Sequence, residues 1–264
     1  MELLAFLIIG ASFAGFRGLH WILKYLPMPK AAARNRWKWQ YTCVSLVHSV
    51  LAGTGALLGV VFFPQIIADP VHFHSPWFLT LVSISVGYFL ADGVELFWNQ
   101  ALRQTWPELC HHVVVAICFT TAILVHYYLG FMVVSLLMML NSICQNIRKL
   151  LLFSRKAPSR AFNMASWATM VSFVIFRLVP LGWMILWLSQ HYHEVHPVLV
   201  VLGIIGLFTV GVLSIIGAVQ ILISDVRRSR HCPFTSGHKE TPETRFCLIG
   251  EQVAGHSSTL RMRN

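Results

Sequence analysis

The stretch "WFLTLVSISVGYFLADGVELFW", Trp77–Trp98, contains no Lys or Arg, and its two acids, Asp92 and Glu95, stand close to its C-terminal end. As an α-helix it extends for roughly 33 Å, at about 1.5 Å per residue, which is enough to cross a hydrocarbon core about 30 Å thick. Comparable apolar runs occur at Leu3–Leu23, Tyr41–Ile67, Leu109–Leu129, Phe131–Leu152, Phe162–Ser189 and Val198–Ile223. A chain of 264 residues that is 56% hydrophobic and 11% charged has no soluble core large enough to bury so much apolar surface. The pattern predicts an all-α, polytopic transmembrane bundle of about seven helices.

Charge placement tests that count. Of the 20 Lys and Arg, five lie between the first two runs (Lys24, Lys30, Arg34, Arg36, Lys38), one lies after the third (Arg103), five flank the junction of the fifth and sixth (Arg148, Lys149, Arg155, Lys156, Arg160), and seven follow the last. The alternate loops carry none. By the positive-inside rule the N-terminus faces outside and the C-terminal tail faces the cytosol. The net charge of +10 therefore reports topology. The basic residues form no nucleic-acid motif, and no nucleic-acid partner is expected. The first run has an acidic start and its positive charges follow the apolar segment, so it is expected to be a retained anchor and not a cleaved signal peptide.

Ionisable groups at helix depth are costly and need partners or water. By helical rise, His48 lies roughly 10 Å into the second run, and Asp92 and Glu95 lie within roughly 10 Å of the end of the third. His111 and His112 occupy the first turns of the fourth run, and Asn141 a similar level in the fifth. These levels predict a polar-lined intramembrane lipid pocket of His48, Asp92, His111, His112 and Asn141. Adjacent residues on a helix diverge by about 100°, so only one of the two histidines can face its centre squarely. Glu95 and Arg177 are expected to be structural, Arg177 by steadying the kink that Pro180 introduces. Gly55 and Gly59 are expected to permit close helix approach.

The outer-loop histidines, His72 and His74 in "VHFHSP" and His191, His193 and His196 in "HYHEVH", form no compact four-ligand zinc pattern, and no metal site or cofactor is expected. The six cysteines form no Cys-x-x-Cys pair. Cys43, Cys110, Cys118 and Cys144 are expected to be small packing residues. Cys232 and Cys247 stand near basic residues in the tail, a setting compatible with palmitoylation, and are expected to be ordinary reduced thiols.

Taken in order, His48 in "SLVHSV", Asp92 in "GYFLAD", the pair in "LCHHVVV", Asn141 to Arg148 in "NSICQNIR" and "FRLVP" at Phe176–Pro180 resemble the landmarks of the TLC domain, shared by ceramide synthases and translocating-chain-associating membrane proteins. The resemblance covers about 37–226. It implies an N-terminal anchor and basic loop over 1–36, a six-helix TLC domain over 37–226 and a cytosolic, mostly disordered tail over 227–264. In the synthases a His pair and a later His-Asp pair serve acyl transfer from acyl-CoA. Here the second element is replaced by "LLMMLNSICQ", and Met139 stands where many non-synthase members have Glu. The wording of the motifs resembles a branch associated with the plasma membrane and with limiting polyunsaturated chains in phospholipids. The resemblance therefore implies a regulator of phospholipid acyl-chain composition and membrane fluidity, with membrane phospholipids as partners.

Two alternatives stand beside it: a ceramide-synthase-like, acyl-CoA-dependent acyltransferase with His111 or His112 as catalytic base, and a non-catalytic partner of another lipid-modifying enzyme. The endoplasmic reticulum is the alternative location. The topology has a direct test. Epitopes placed at the two ends should stain intact cells only at the N-terminus, and staining of the C-terminal epitope without permeabilisation would reverse the assignment.

Overall fold

A computed structural model of the chain describes residues 2–27, 29, 32, 36–98, 102–154, 159–193, 195 and 197–231. Among them no strand occurs, and the long elements are α1 (Glu2–Leu23), α2 (Arg36–Phe62), the single turn α3 (Gln65–Ala68), α4 (Pro76–Trp98) and α5 (Leu102–Val125). They are followed by α6 (Leu129–Leu136), α7 (Met138–Phe153), α8 (Arg160–Phe173), α9 (Val179–His191) and α10 (Pro197–His231). Six helical stretches of the described residues are long and apolar enough to cross a membrane, and Leu109–Val125 is a shorter apolar helix. The protein is thus a multi-pass helical membrane bundle.

Several run boundaries move for local reasons. The second run ends at Phe62, ahead of Pro64, which caps the separate turn α3. The fourth ends at Val125 because His126 and Tyr128 adopt left-handed φ values of 57° and 67°. Leu137 interrupts the fifth between α6 and α7, and the sixth contains a π-helical turn, Val174–Leu178, that leads directly into Pro180. Of the expected tail, 227–231 continues α10 as helix, and 232–264, with Cys232 and Cys247, lies outside the described residues, as do Glu194 and His196.

The chain divides into two compact units, Met1–Ser214 and Ile215–Asn264. The described part of the second is helical and exposes Ile215, Ile216, Val219, Leu222 and Ile223, an apolar surface suited to lipid. In the first unit α1 lies along α4, α4 against α2 and α5, α2 against α7, and α7 against α8. Lipid tails are as apolar as Leu, so burial alone does not hold such helices together, and close packing and hydrogen bonds must.

Gly87 illustrates this at the α1–α4 contact. A Cβ there would lie 2.6 Å from both the Ile9 carbonyl oxygen and the Ser12 Cβ, and Ser12 Oγ donates a hydrogen bond to the Ile84 carbonyl at 2.7 Å. The expected close approaches on α2 are also present: a Cβ on Gly55 would meet Leu81 Cδ1 at 2.7 Å, and one on Gly59 would meet Phe78 Cε1 at 2.9 Å. Because backbone cannot yield as a side chain can, Gly87→Val should destabilise the bundle by about 1–3 kcal/mol. Gly15→Ala, with nothing within 4 Å of its Cβ, should leave stability unchanged. Thermal unfolding of the purified chain in detergent compares the two.

Candidate functional site

The polar chemistry of the bundle is arranged along α4. Helices α2 and α4 are antiparallel, so a step of seven residues, close to two turns, keeps side chains facing each other. One such level joins Tyr41 to Asp92, where the Tyr41 hydroxyl donates to Asp92 Oδ2 at 2.8 Å. Two turns along, His48 Nε2 lies 3.4 Å from Ser85 Oγ, which itself donates to the Leu81 carbonyl at 3.0 Å. The His48 ring stacks on Tyr88, with centroids 3.8 Å apart and planes within 8°.

Asp92 is completely buried. Its Oδ2 lies 3.0 Å from His112 Nδ1, a close electrostatic approach that is not aligned as a hydrogen bond, and its Oδ1 has no partner among the described residues. Phe89 lies between the His48 and His112 rings, with centroid separations of 5.5 and 5.3 Å. One turn beyond Asp92, Glu95 pairs with Arg17 of α1. His20, a turn further along α1, is also buried, with Nε2 unpartnered. The structural role expected of Glu95 thus has a definite partner.

Asn141 is buried elsewhere, on α7, where its Oδ1 accepts from Ser172 Oγ of α8 at 3.0 Å. The same two helices are joined by Arg148, whose Nε donates to Ser166 Oγ at 3.0 Å and whose guanidinium lies over the Phe162 ring. Asn146 reaches back from α7 to Ser45 of α2, its Nδ2 donating at 3.1 Å.

A separate cleft of about 130 Å³ is bounded by α5, α6, the start of α7, the π turn, α9 and α10. Its walls follow helical periodicity: His111, Val115, Cys118, Phe119 and Ala122 on α5, facing Leu199, Leu202, Gly203, Gly206, Leu207 and Val210 on α10. Tyr128, in its left-handed conformation, lines the cleft and donates its N–H to the Val71 carbonyl at 2.9 Å, which ties that turn to the α3–α4 loop. Of the five residues expected to share one pocket, only His111 lines this cleft. His48, Asp92 and His112 are in the α2–α4–α5 core, and Asn141 is at the α7–α8 contact. Arg177 also lines the cleft, is an electrostatic neighbour of His111, and has a buried Nε with no partner. The adjacent histidines therefore diverge as helix geometry requires.

In the loop between α3 and α4, Asp69 Oδ1 accepts the backbone N–H of His72 at 3.0 Å and of Val71 at 3.2 Å, and lies 3.1 Å from His72 Nδ1. The His72 N–H bond foremost, with the other two, holds the Asp69 carboxyl below the usual carboxylate range. Among the described residues no three His, Cys, Asp or Glu converge on a common point. Cys43, Cys118 and Cys144 are partly buried, whereas Cys110 is exposed on the helix surface.

Sequence reasoning passed over Tyr41, Tyr88, Ser85, Ser172 and His20. Tyr41 and His48 are seven residues apart, as are Ser85 and Asp92, and this shared face was the available signal.

The chain matches the model of the TLC domain over residues 38–223. It is 55% identical over 258 residues to human "TLC domain-containing protein 2", covering 98% of each chain. The mouse protein of that name is 51% identical, covering 97% of this chain and 81% of the relative. Human "TLC domain-containing protein 1" is 28% identical, covering 86% and 90%. No solved structure matches. Helix α1 precedes the matched segment, yet it supplies the Arg17 partner of Glu95 inside it.

Tyr41→Phe would leave the buried Asp92 Oδ2 without its hydrogen-bond donor, and should cost about 1–3 kcal/mol of stability. Asp92→Leu should cost more, because Tyr41 and His112 both lose their buried partner. The unfolding temperatures of the two variants in detergent check the order.

Proposed function

The chain belongs to the TLC domain family, and from that premise we propose that it regulates phospholipid acyl-chain composition and membrane fluidity at the plasma membrane, limiting polyunsaturated chains. It does so by holding a lipid acyl chain in the cleft between α5 and α10. The observation that carries this reading is the cleft's composition: long apolar walls with His111 and Arg177 as its basic groups. An enclosed apolar cavity of about 150 Å³ stays dry and binds a ligand the size of benzene; this cleft is of that order but open, so it takes part of an acyl chain. The N-terminus faces outside and the tail faces the cytosol, in keeping with the distribution of Lys and Arg.

A second reading, an acyl-CoA-dependent acyltransferase, is favoured by the 3.0 Å approach of Asp92 to His112, since a carboxylate that orients an imidazole is what a general base needs. A base must also reach its substrate. Here His112 has the carboxylate and His111 lines the cleft, and this separation supports binding over turnover.

Lipid mass spectrometry of cells expressing each variant tests the choice. Gly203→Leu, which projects a side chain into the cleft, should abolish the effect on phospholipid acyl composition. His111→Gln keeps a hydrogen-bonding side chain and should retain much of the effect that His111→Ala loses. Turnover of acyl-CoA by the purified chain, abolished alike by Gln and Ala at His111 or His112, would instead establish the acyltransferase.

A further inference from the structure

Arg177 is in an unusual position for a guanidinium. It sits on a π-helical turn in the middle of a membrane-crossing stretch, Arg160–His191, and such turns displace a side chain from the regular helical rows. Its neighbours along the cleft are apolar, among them Met138, Met139 and Met184. A cation there needs an anion or several acceptors to offset its lost hydration.

The acids with described side chains are otherwise engaged. Asp69 holds His72, Asp92 is taken by Tyr41 and His112, and Glu95 pairs with Arg17. Arg177 Nε is buried without a hydrogen-bond partner, and so is His111 Nδ1 in the neighbouring ring. The described chain thus presents two unsatisfied polar groups to one apolar cleft, one of them cationic.

We propose that Arg177 and His111 form an anion anchor and that the occupant of the cleft is a free long-chain fatty acid, its carboxylate on Arg177 and its chain along the walls of α5 and α10. This inference rests on the reading of the cleft as an acyl-chain site and names the headgroup that reading leaves open. A carboxylate fits for three reasons. Its planar pair of oxygens matches the fork of the guanidinium, of which Nε is buried without a hydrogen-bond partner. It brings a single charge, which Arg177 neutralises, whereas a phosphomonoester brings up to two and costs more to strip of water. It is also compact, and beyond the anchor the cleft offers a phosphodiester headgroup no further cation, only the Trp187 indole N–H and the hydroxyls of Ser135, Thr121 and Tyr128, of which Ser135 already donates to the Met132 carbonyl at 2.6 Å.

The experiment measures binding of four probes with one oleoyl chain each to the purified full chain: oleate, methyl oleate, oleyl alcohol and oleoyl lysophosphatidate. Oleate should bind at least about tenfold more tightly than the ester or the alcohol, a difference near 1.4 kcal/mol. Arg177→Gln should bring oleate down to the level of the alcohol while leaving the alcohol unchanged, and Arg177→Lys should restore part of the gap. The comparison of probes on the unaltered chain stands even where Arg177→Gln fails to fold. Equal binding of oleate and methyl oleate overturns the anchor, and tighter binding of the lysophosphatidate overturns the choice of a carboxylate. If all probes bind equally and Gly203→Leu abolishes them all, the acyl site stands and the anchor falls. If none binds, both fall.

Discussion

A carboxylate with no exposure in an apolar bundle is the constraint from which the packing of the core follows. Moving Asp92 out of water costs several kcal/mol even after relaxation, and only partners held at fixed distance offset that. Those partners come from two other helices, Tyr41 from α2 and His112 from α5. Once Asp92 Oδ2 accepts from Tyr41, the register of α2 on α4 is set, because His48 then faces Ser85 and Tyr88 two turns away. One turn beyond, Glu95 fixes α1 through Arg17, while Gly87 lets the two backbones approach. Helix α4 is thereby the hub against which α1, α2 and α5 pack.

The same constraint separates the two histidines. His112 is turned toward Asp92 and the aromatic side of α4, so its neighbour, about 100° around the helix, is carried to a different face. That face borders the cleft, where His111 meets Arg177 and an apolar stripe of α10. The irregular backbone of the chain gathers around this cleft: the left-handed Tyr128, the break at Leu137 and the π turn at Val174–Leu178. Each departs from regular helix in a bundle where unsatisfied backbone is expensive, and π turns inside helices are frequent at functional sites.

What the sequence by itself determined is the membrane bundle, because apolar run length and charge placement are local quantities that need no knowledge of neighbours. The rise of a helix also gave each polar residue an expected depth, and Asp92, His48 and His112 lie together in one core. Depth, however, gives one coordinate of three. Which way a side chain faces depends on the rotation of each helix, and only the tertiary structure decided that. It sent Asn141 to Ser172, gave Asp92 to His112 and Tyr41, and left His111 as the member of the set that lines the cleft. It also brought Arg177, read from the sequence as support for a kink, into the wall of that cleft, because the five-residue π turn shifts the helical phase by an amount that no 3.6-residue periodicity records.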